Sequence, residues 1–164
     1  MCRMIGITNY SYAEHKNLLE GFFGLSSRGK ILKGDSCGHL DGWGIGYYKE
    51  GKALICKSGR PVTEEKKDYF ETLRKIGVSP VLIVHLRKSS YKPPHTRKNA
   101  HPFEYKNIIF AHNGTIRDYS KLLKEMKPQD RPSSEALDSE VYARFVISRL
   151  APKVRESFKK AASY

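Results

Sequence analysis

In the segment Asp41-Gly42-Trp43-Gly44-Ile45-Gly46-Tyr47-Tyr48, glycine alternates with large apolar residues. This period of two predicts a β-strand over 42–48. The glycines share one face of that strand, where another backbone or a ligand can approach closely. The segment lacks the GxGxxG spacing and the following helix of a dinucleotide-binding turn, which argues against dinucleotide binding.

Further strands and helices are predicted on both sides of this strand. Glu50-Gly51 is a hairpin signal that leads into a second strand at 53–57. Apolar runs predict strands at 3–8, 81–85 and 107–112, and helical spacing predicts helices at 16–27, 63–76, 118–126 and 137–150, the last ended by Pro152. Because strands come mostly first and helices mostly last, an α+β or layered α/β/α domain is favoured over a doubly wound sheet.

Length and composition limit the class of protein. The 164 residues suffice for one domain with a single sizeable core, and 39% hydrophobic residues are too many for a disordered chain. No apolar stretch approaches the ~18–20 residues of a membrane span, and no signal peptide is recognised, so we expect a soluble, cytoplasmic protein. The net charge of +13 suits anionic partners such as nucleic acid, phosphorylated metabolites or an acidic protein.

The cysteines and histidines show no pattern of a disulfide scaffold or a metal site. Cys2, Cys37 and Cys56 cannot all pair within one chain, and they form no CxxC motif. The six histidines form no HExxH or other metal-binding spacing. We therefore expect reduced thiols, no metal and no cofactor.

Cys2 directly follows the initiator methionine. Removal of Met1 would place a thiol and a free α-amine on one residue. The ordinary pKa of an α-amine is ~7.7–8.0, so roughly a tenth of it is a free base at pH 7. This amine can take the proton of its own thiol, directly or through one water. Cysteine at position two also occurs without such a role, and the residue alone does not separate the two interpretations.

Asn113-Gly114 follows the predicted strand at 107–112. Asn-Gly after a strand is first of all a turn signal. The alternative is an oxyanion hole, in which the side-chain amide of Asn113 and the backbone N–H of Gly114 point at one oxygen. Acyl transfer needs such donors, and one of them is worth ~2.7–4 kcal/mol.

Two charged residues are candidates for substrate binding. Arg87 follows a buried strand, and its guanidinium can hold a carboxylate through two parallel hydrogen bonds, although it can equally be a surface arginine. Asp138 lies near the start of a predicted helix, where it caps the helix or binds an ammonium group. The long polar loop from Arg87 to Tyr105 is of a kind that is more often functional than not. Its basic residues either grip an anionic partner or form a solvated surface; they are Lys88, Lys92, His95, Arg97 and Lys98.

Six motifs occur in one order over residues 1 to about 150. They are Met1-Cys2-Arg3-Met4-Ile5-Gly6-Ile7, Asp41-Gly42-Trp43-Gly44-Ile45-Gly46, His85-Leu86-Arg87-Lys88-Ser89-Ser90, Asn99-Ala100-His101-Pro102-Phe103, Ala111-His112-Asn113-Gly114 and Asp138-Ser139-Glu140. Together they resemble the class II glutamine amidotransferases, the N-terminal nucleophile glutaminase domains. The likeness is greatest to the small stand-alone, YafJ-like type.

The resemblance implies a role for each candidate site residue. Cys2 matches the nucleophile and its α-amine the general base, while Asn113 and Gly114 match the oxyanion hole. Arg87 matches the residue that grips the α-carboxylate of glutamine, and Asp138 the one that takes its α-ammonium. Ser90 stands in the substrate-binding motif, where Ser89-Ser90 replaces the Ala-Thr of many relatives. The implied reaction releases ammonia and leaves a γ-glutamyl thioester that water hydrolyses.

The resemblance also implies a fold and partners. The fold is an Ntn-hydrolase-like α/β/β/α layered sandwich in a single domain, 1–164. Family domains are usually longer, so we expect a C-terminally short domain whose second sheet is reduced or is completed by another chain. The ammonia goes to a synthase subunit, or the protein is a free amidohydrolase; a homo-oligomer is a further expectation.

Two other functions stay open. One is a catalytically weak regulatory or partner-dependent subunit of the same family. The other is a basic module that binds RNA or single-stranded DNA by charge and stacking. No RNP, KH or helix-turn-helix signature supports nucleic-acid binding.

Overall fold

The structure, a computed structural model, describes residues 2–30, 34, 38–89 and 95–161, the last eleven of these by their backbone alone. The strands are β1 (Arg3–Ser11), β2 (Trp43–Lys49), β3 (Lys52–Ser58), β4 (Val78–Leu86), β5 (Phe103–Tyr105) and β6 (Ile108–Phe110). The α-helices are α1 (Tyr12–Arg28), α2 (Lys66–Ile76), α3 (Tyr119–Glu125) and α4 (Asp138–Ala161). This combination confirms the predicted α+β class.

The chain divides into two compact units. The first comprises residues 1–104 and 109–114, and the second comprises residues 105–108 and 115–164. The first unit contains an antiparallel sheet of four strands in the order β1-β4-β2-β3. The predicted hairpin joins β2 to β3, and both of its turn residues, Glu50 and Gly51, have the positive φ angles that a tight hairpin turn requires.

The two faces of the four-stranded sheet are covered differently. Trp43 and Ile45 of β2 belong to a buried apolar core with residues of α1 and α2. On the opposite face, a Cβ at Gly46 would lie only 2.7 Å from the side chain of Ile109 in β6. The glycines of β2 therefore let a second layer approach closely, as their alternation predicts. That layer is the β5–β6 hairpin, and it is the second sheet of the described residues.

The second unit contains α3 and α4. Its small core consists of Met126, Ala136 and Val141, against which Leu122 and Phe145 pack. The predicted end of the last helix at Pro152 is wrong, because α4 runs on to Ala161. A proline removes one backbone donor and crowds the preceding turn, but the hydrogen bonds on either side of it can carry a helix onward. In the described part of the chain, no helix is long and apolar enough to cross a membrane.

Candidate active site

Three segments of the first unit meet at one end of the four-stranded sheet. Cys2 precedes β1, Arg87 follows β4, and Asp41 lies just before β2. They converge because β4 runs antiparallel to both neighbours, so that Leu86 is opposite Arg3 on one side and Trp43 on the other. Beyond the strand, the N–H of Asp41 donates to the carbonyl of Arg87 at 3.1 Å. The pairing of the strands thus brings distant parts of the sequence together.

The thiol of Cys2 is enclosed by the backbone of Lys88. The N–H of Lys88 donates to Sγ at 3.3 Å, and Sγ donates to the carbonyl of Lys88 at 3.4 Å. Burial raises the pKa of the Cys2 thiol, and the Lys88 hydrogen bond and the Arg87 charge only partly offset this effect. The thiol is therefore protonated at neutral pH and needs a base before it can attack.

The side chain of Asn113 binds the backbone of Cys2 in both directions. The nitrogen of Cys2 donates to Oδ1 at 3.0 Å, and Nδ2 donates to the carbonyl of Cys2 at 3.1 Å. Arg3 donates to the same carbonyl from Nη1 at 3.1 Å. Next to Asn113, a Cβ at Gly114 would lie 2.9 Å from the ring of His112, so this position has little room for a side chain. The Asn-Gly segment is thus placed directly at the candidate nucleophile.

Arg87 is buried beside the thiol, and its charge lowers the pKa of Cys2. Its Nη1 donates to the backbone carbonyl of Asp41 at 3.3 Å and to Nδ1 of His95 at 3.2 Å. On the other side of the His95 ring, Nε2 lies 3.2 Å from Oδ1 of Asp41. The arginine is therefore held inside the protein rather than on a solvated surface.

Asp138 belongs to the second unit, where it is the first residue of α4. Its Oδ2 accepts the N–H of Ile116 at 2.6 Å, and its Oδ1 accepts the N–H of Ser139 at 2.7 Å. The Ser139 contact lies in the first turn of α4, whereas the Ile116 contact ties Asp138 to the segment after Gly114. The ammonium-binding role stays a prediction. Ser90, the remaining predicted substrate contact, lies outside the described residues, and so does Met1.

Sequence reasoning missed several residues at this site. The backbone of Lys88 and the side chains of Arg3, Asp41 and His95 were not assigned to it. Asp41 opens one of the six motifs without a role of its own, and His95 stands among the basic loop residues. The signal that could have found them is their position, since Arg3, Asp41 and Lys88 stand within the motifs that carry the resemblance and His95 lies between two of those motifs. Lys88 and His95 do not fit the solvated-surface interpretation, because Lys88 is buried and His95 binds two charged partners.

Two histidines are buried between the layers of the first unit. The rings of His85 in β4 and His101 are stacked with their centroids 4.6 Å apart. Burial lowers the pKa of His85 to about 4 and that of His101 to about 2, so both rings are neutral at physiological pH. Over the described ranges, no group of three or more histidine, cysteine, aspartate or glutamate side chains is arranged to hold a metal ion.

Comparison with known proteins agrees with the motifs at this site. A family model described as "Glutamine amidotransferases class-II" matches residues 1–162. The chain belongs to this family. The matched residues include Cys2, Arg87, Asn113 and Asp138.

Individual relatives show how much of each protein this chain represents. It is 28% identical over 170 residues to a glutamine–fructose-6-phosphate aminotransferase of Helicobacter pylori strain J99, covering 99% of this chain and 25% of that protein. It is 30% identical over 155 residues to an amidophosphoribosyltransferase of Methanocaldococcus jannaschii, covering 92% of this chain and 30% of that protein. An uncharacterised protein of the same archaeon is 36% identical over 89 residues, which are 51% of this chain and 24% of that protein. The chain thus spans at most about a third of the curated relatives it matches.

Proposed function

We propose that this chain hydrolyses the side-chain amide of glutamine, with Cys2 as nucleophile after removal of Met1. The α-amine of Cys2 takes the proton of Sγ, and Sγ bonds to the amide carbon to give a tetrahedral intermediate. The C–N bond then breaks, the amine returns the proton to the leaving group, and ammonia departs. Water hydrolyses the resulting γ-glutamyl thioester to glutamate and restores the thiol.

The observation that carries this proposal is the contact of Asn113 with Cys2. The Oδ1 contact holds the nitrogen that would become the base, on the same residue as the thiol. The raised pKa of the thiol makes such a base necessary. Many buried cysteines are inert, but the nitrogen of Cys2 is held by the side-chain amide of Asn113.

Asn113 also has the chemistry of an oxyanion donor. Its Nδ2 donates to the carbonyl of Cys2, which Arg3 binds as well. In the proposed reaction Nδ2 leaves this carbonyl for the oxygen of the tetrahedral intermediate, while Arg3 keeps the carbonyl hydrogen-bonded. The N–H of Gly114 supplies the second donor.

The charges of free glutamine suggest how the substrate is selected. Arg87, beside the thiol, is suited to the α-carboxylate because a guanidinium binds a carboxylate through two parallel hydrogen bonds. Asp138 takes the α-ammonium in this proposal, and Ser90 contributes a hydroxyl. A substrate that carries both charges is then preferred over a peptide.

The ammonia is proposed to serve a synthase partner. Two of the relatives carry the names of a glutamine-dependent aminotransferase and an amidophosphoribosyltransferase, and this chain covers only a fraction of each. We propose that a separate subunit supplies the acceptor reaction, and that the chain functions in the cytoplasm.

The test combines turnover with covalent labelling. Purified protein is assayed for release of ammonia and glutamate from glutamine, and is treated with the glutamine analogue 6-diazo-5-oxo-norleucine. We expect intact-mass spectrometry to show loss of Met1 and a single adduct on Cys2. We expect Cys2→Ala to abolish both turnover and labelling, whereas Cys56→Ser, a change at the half-buried thiol of β3, leaves both intact. Retention of Met1 with an adduct on Cys37 or Cys56 would refute the assignment.

A further inference from the structure

The carboxylate of Asp41 holds two parts of the loop that follows β4. Its Oδ2 accepts the N–H of Ser89 at 2.7 Å, and its Oδ1 lies 3.2 Å from Nε2 of His95. Ser89 and His95 stand on either side of residues 90–94, which are outside the described ranges. The side chain of Asp41, from the segment before β2, therefore binds both Ser89 and His95.

His95 connects this carboxylate to Arg87. Its Nδ1 lies 3.2 Å from Nη1 of Arg87. A guanidinium can only donate, so Nδ1 must be the acceptor and the ring proton must reside on Nε2, which faces Asp41. Arg87 then donates from Nη1 to His95, and His95 donates from Nε2 to the carboxylate of Asp41. The backbone carbonyl of Asp41 accepts from the same Nη1 at 3.3 Å, so Asp41 orients this nitrogen both directly and through the ring.

The contacts among these three residues are largely shielded from solvent. Arg87 is only 6% exposed, and the side chains of His95 and Asp41 are 17% and 19% exposed. Exposed ion pairs contribute little because water screens them. Connected polar groups away from solvent hold one another more firmly, and a missing member leaves its neighbours without partners.

We propose that Asp41 and His95 are positioning residues that set the orientation of the Arg87 guanidinium for the α-carboxylate of glutamine. The inference rests on the proposed function. A carboxylate that is bound by two parallel hydrogen bonds requires the guanidinium plane to point in one direction. A long arginine side chain without internal partners samples many rotamers, whereas one restrained at Nη1 keeps its plane fixed before the substrate arrives.

The test compares two substrates in steady-state kinetics. One is glutamine, and the other is 4-aminobutanamide, which is glutamine without its α-carboxylate. For His95→Leu we expect the KM for glutamine to rise roughly 10- to 100-fold with kcat changed less than about threefold. For 4-aminobutanamide we expect kcat/KM to stay within about twofold of the wild type, because this substrate has no α-carboxylate for Arg87 to bind.

Two further variants separate positioning from a general structural role. His95→Asn keeps an acceptor oxygen near the place of Nδ1, so we expect it to restore the KM for glutamine to within about threefold of the wild type. His15→Leu, on α1, is the matched control and leaves both substrates unaffected. If His95→Leu slows both substrates equally, or neither, the inference is wrong.

A spectroscopic measurement keeps the inference independent of turnover. In protein with ¹⁵N-labelled histidine, we expect the His95 resonances to report an unprotonated Nδ1 and a protonated Nε2. The Arg87→Leu variant removes the donor to Nδ1, and we expect this tautomer preference to weaken. A proton on Nδ1 in the wild type would overturn the inference even in an inactive protein. If His95 shows this tautomer but the protein does not turn over glutamine, the proposed function is refuted while the hydrogen-bond arrangement stands.

Discussion

Replacing Asn113 by aspartate separates the two functions that its amide can have at Cys2. Aspartate keeps an oxygen at the place of Oδ1, which accepts from the Cys2 nitrogen at 3.0 Å. It loses Nδ2, which donates to the Cys2 carbonyl at 3.1 Å and is the proposed donor to the oxyanion. The substitution therefore preserves an acceptor for the nitrogen of the proposed base and removes the donor to the oxyanion. Its added negative charge also disfavours the oxyanion, so both changes lower kcat.

The expected loss of activity is much larger than the expected loss of folding stability would cause. An oxyanion donor is worth ~2.7–4 kcal/mol, so kcat should fall ~10²- to 10³-fold while KM for glutamine changes only a few-fold. The loss to folding is one partly buried hydrogen bond, about 0.5–1.5 kcal/mol. A domain with ~5–15 kcal/mol of stability remains folded after such a loss, so unfolding cannot account for the expected drop in kcat.

The assay is ammonia release from glutamine by the wild type, Asn113→Asp and Asn113→Ala, with a thermal melt of each. Asn17→Asp changes an exposed asparagine of α1 and serves as the matched control, which we expect to be fully active. If Asn113→Asp retains wild-type kcat while Asn113→Ala loses it, the amide acts by holding the Cys2 nitrogen. A change in KM alone would mean that Asn113 only shapes a turn.

Three further predictions concern the charge of Asp138, the packing of Gly44 against His101, and the buried ring of His85. Asp138→Asn should raise the KM for glutamine but spare 4-carbamoylbutanoate, which lacks the α-amine; equal losses of kcat/KM would leave Asp138 as a helix cap. Gly44→Ala places a Cβ against the carbonyl of His101, so urea denaturation should show a loss of ~1–3 kcal/mol. Gly6→Ala, whose Cβ meets nothing within 4 Å, is its control, and equal stability of the two variants would contradict the packing. Because the pKa of His85 is lowered to about 4 from an unfolded value near 6.5, the unfolded chain binds the proton first. His85 should therefore contribute roughly 1.4 kcal/mol of added stability per pH unit between these values, and the slope should be shallower by about that amount in His85→Leu; identical slopes would refute the buried neutral state.

Local pattern was sufficient for the regular elements around the glycine-rich segment. The alternation in 42–48 and the Glu50-Gly51 turn predicted the β2–β3 hairpin, since strand period and turn chemistry depend on neighbouring residues. The apolar spacing in 16–27 likewise lies within α1, although the helix begins earlier, at Tyr12. The short strand β5 was missed because three residues inside a polar loop carry no readable period.

The candidate residues were also proposed from sequence, through the motifs around Cys2, Arg87 and Asn113, but their contacts were not. Asn113 meets Cys2 across 111 positions of the chain, and His95 meets Asp41 only because β4 and β2 are adjacent. Sequence determined which side chains could do the chemistry, because that is a property of each residue and its motif. Only the tertiary structure decided which loop residues are buried beside them, because burial and hydrogen-bond partners depend on the pairing of strands that are remote in the chain.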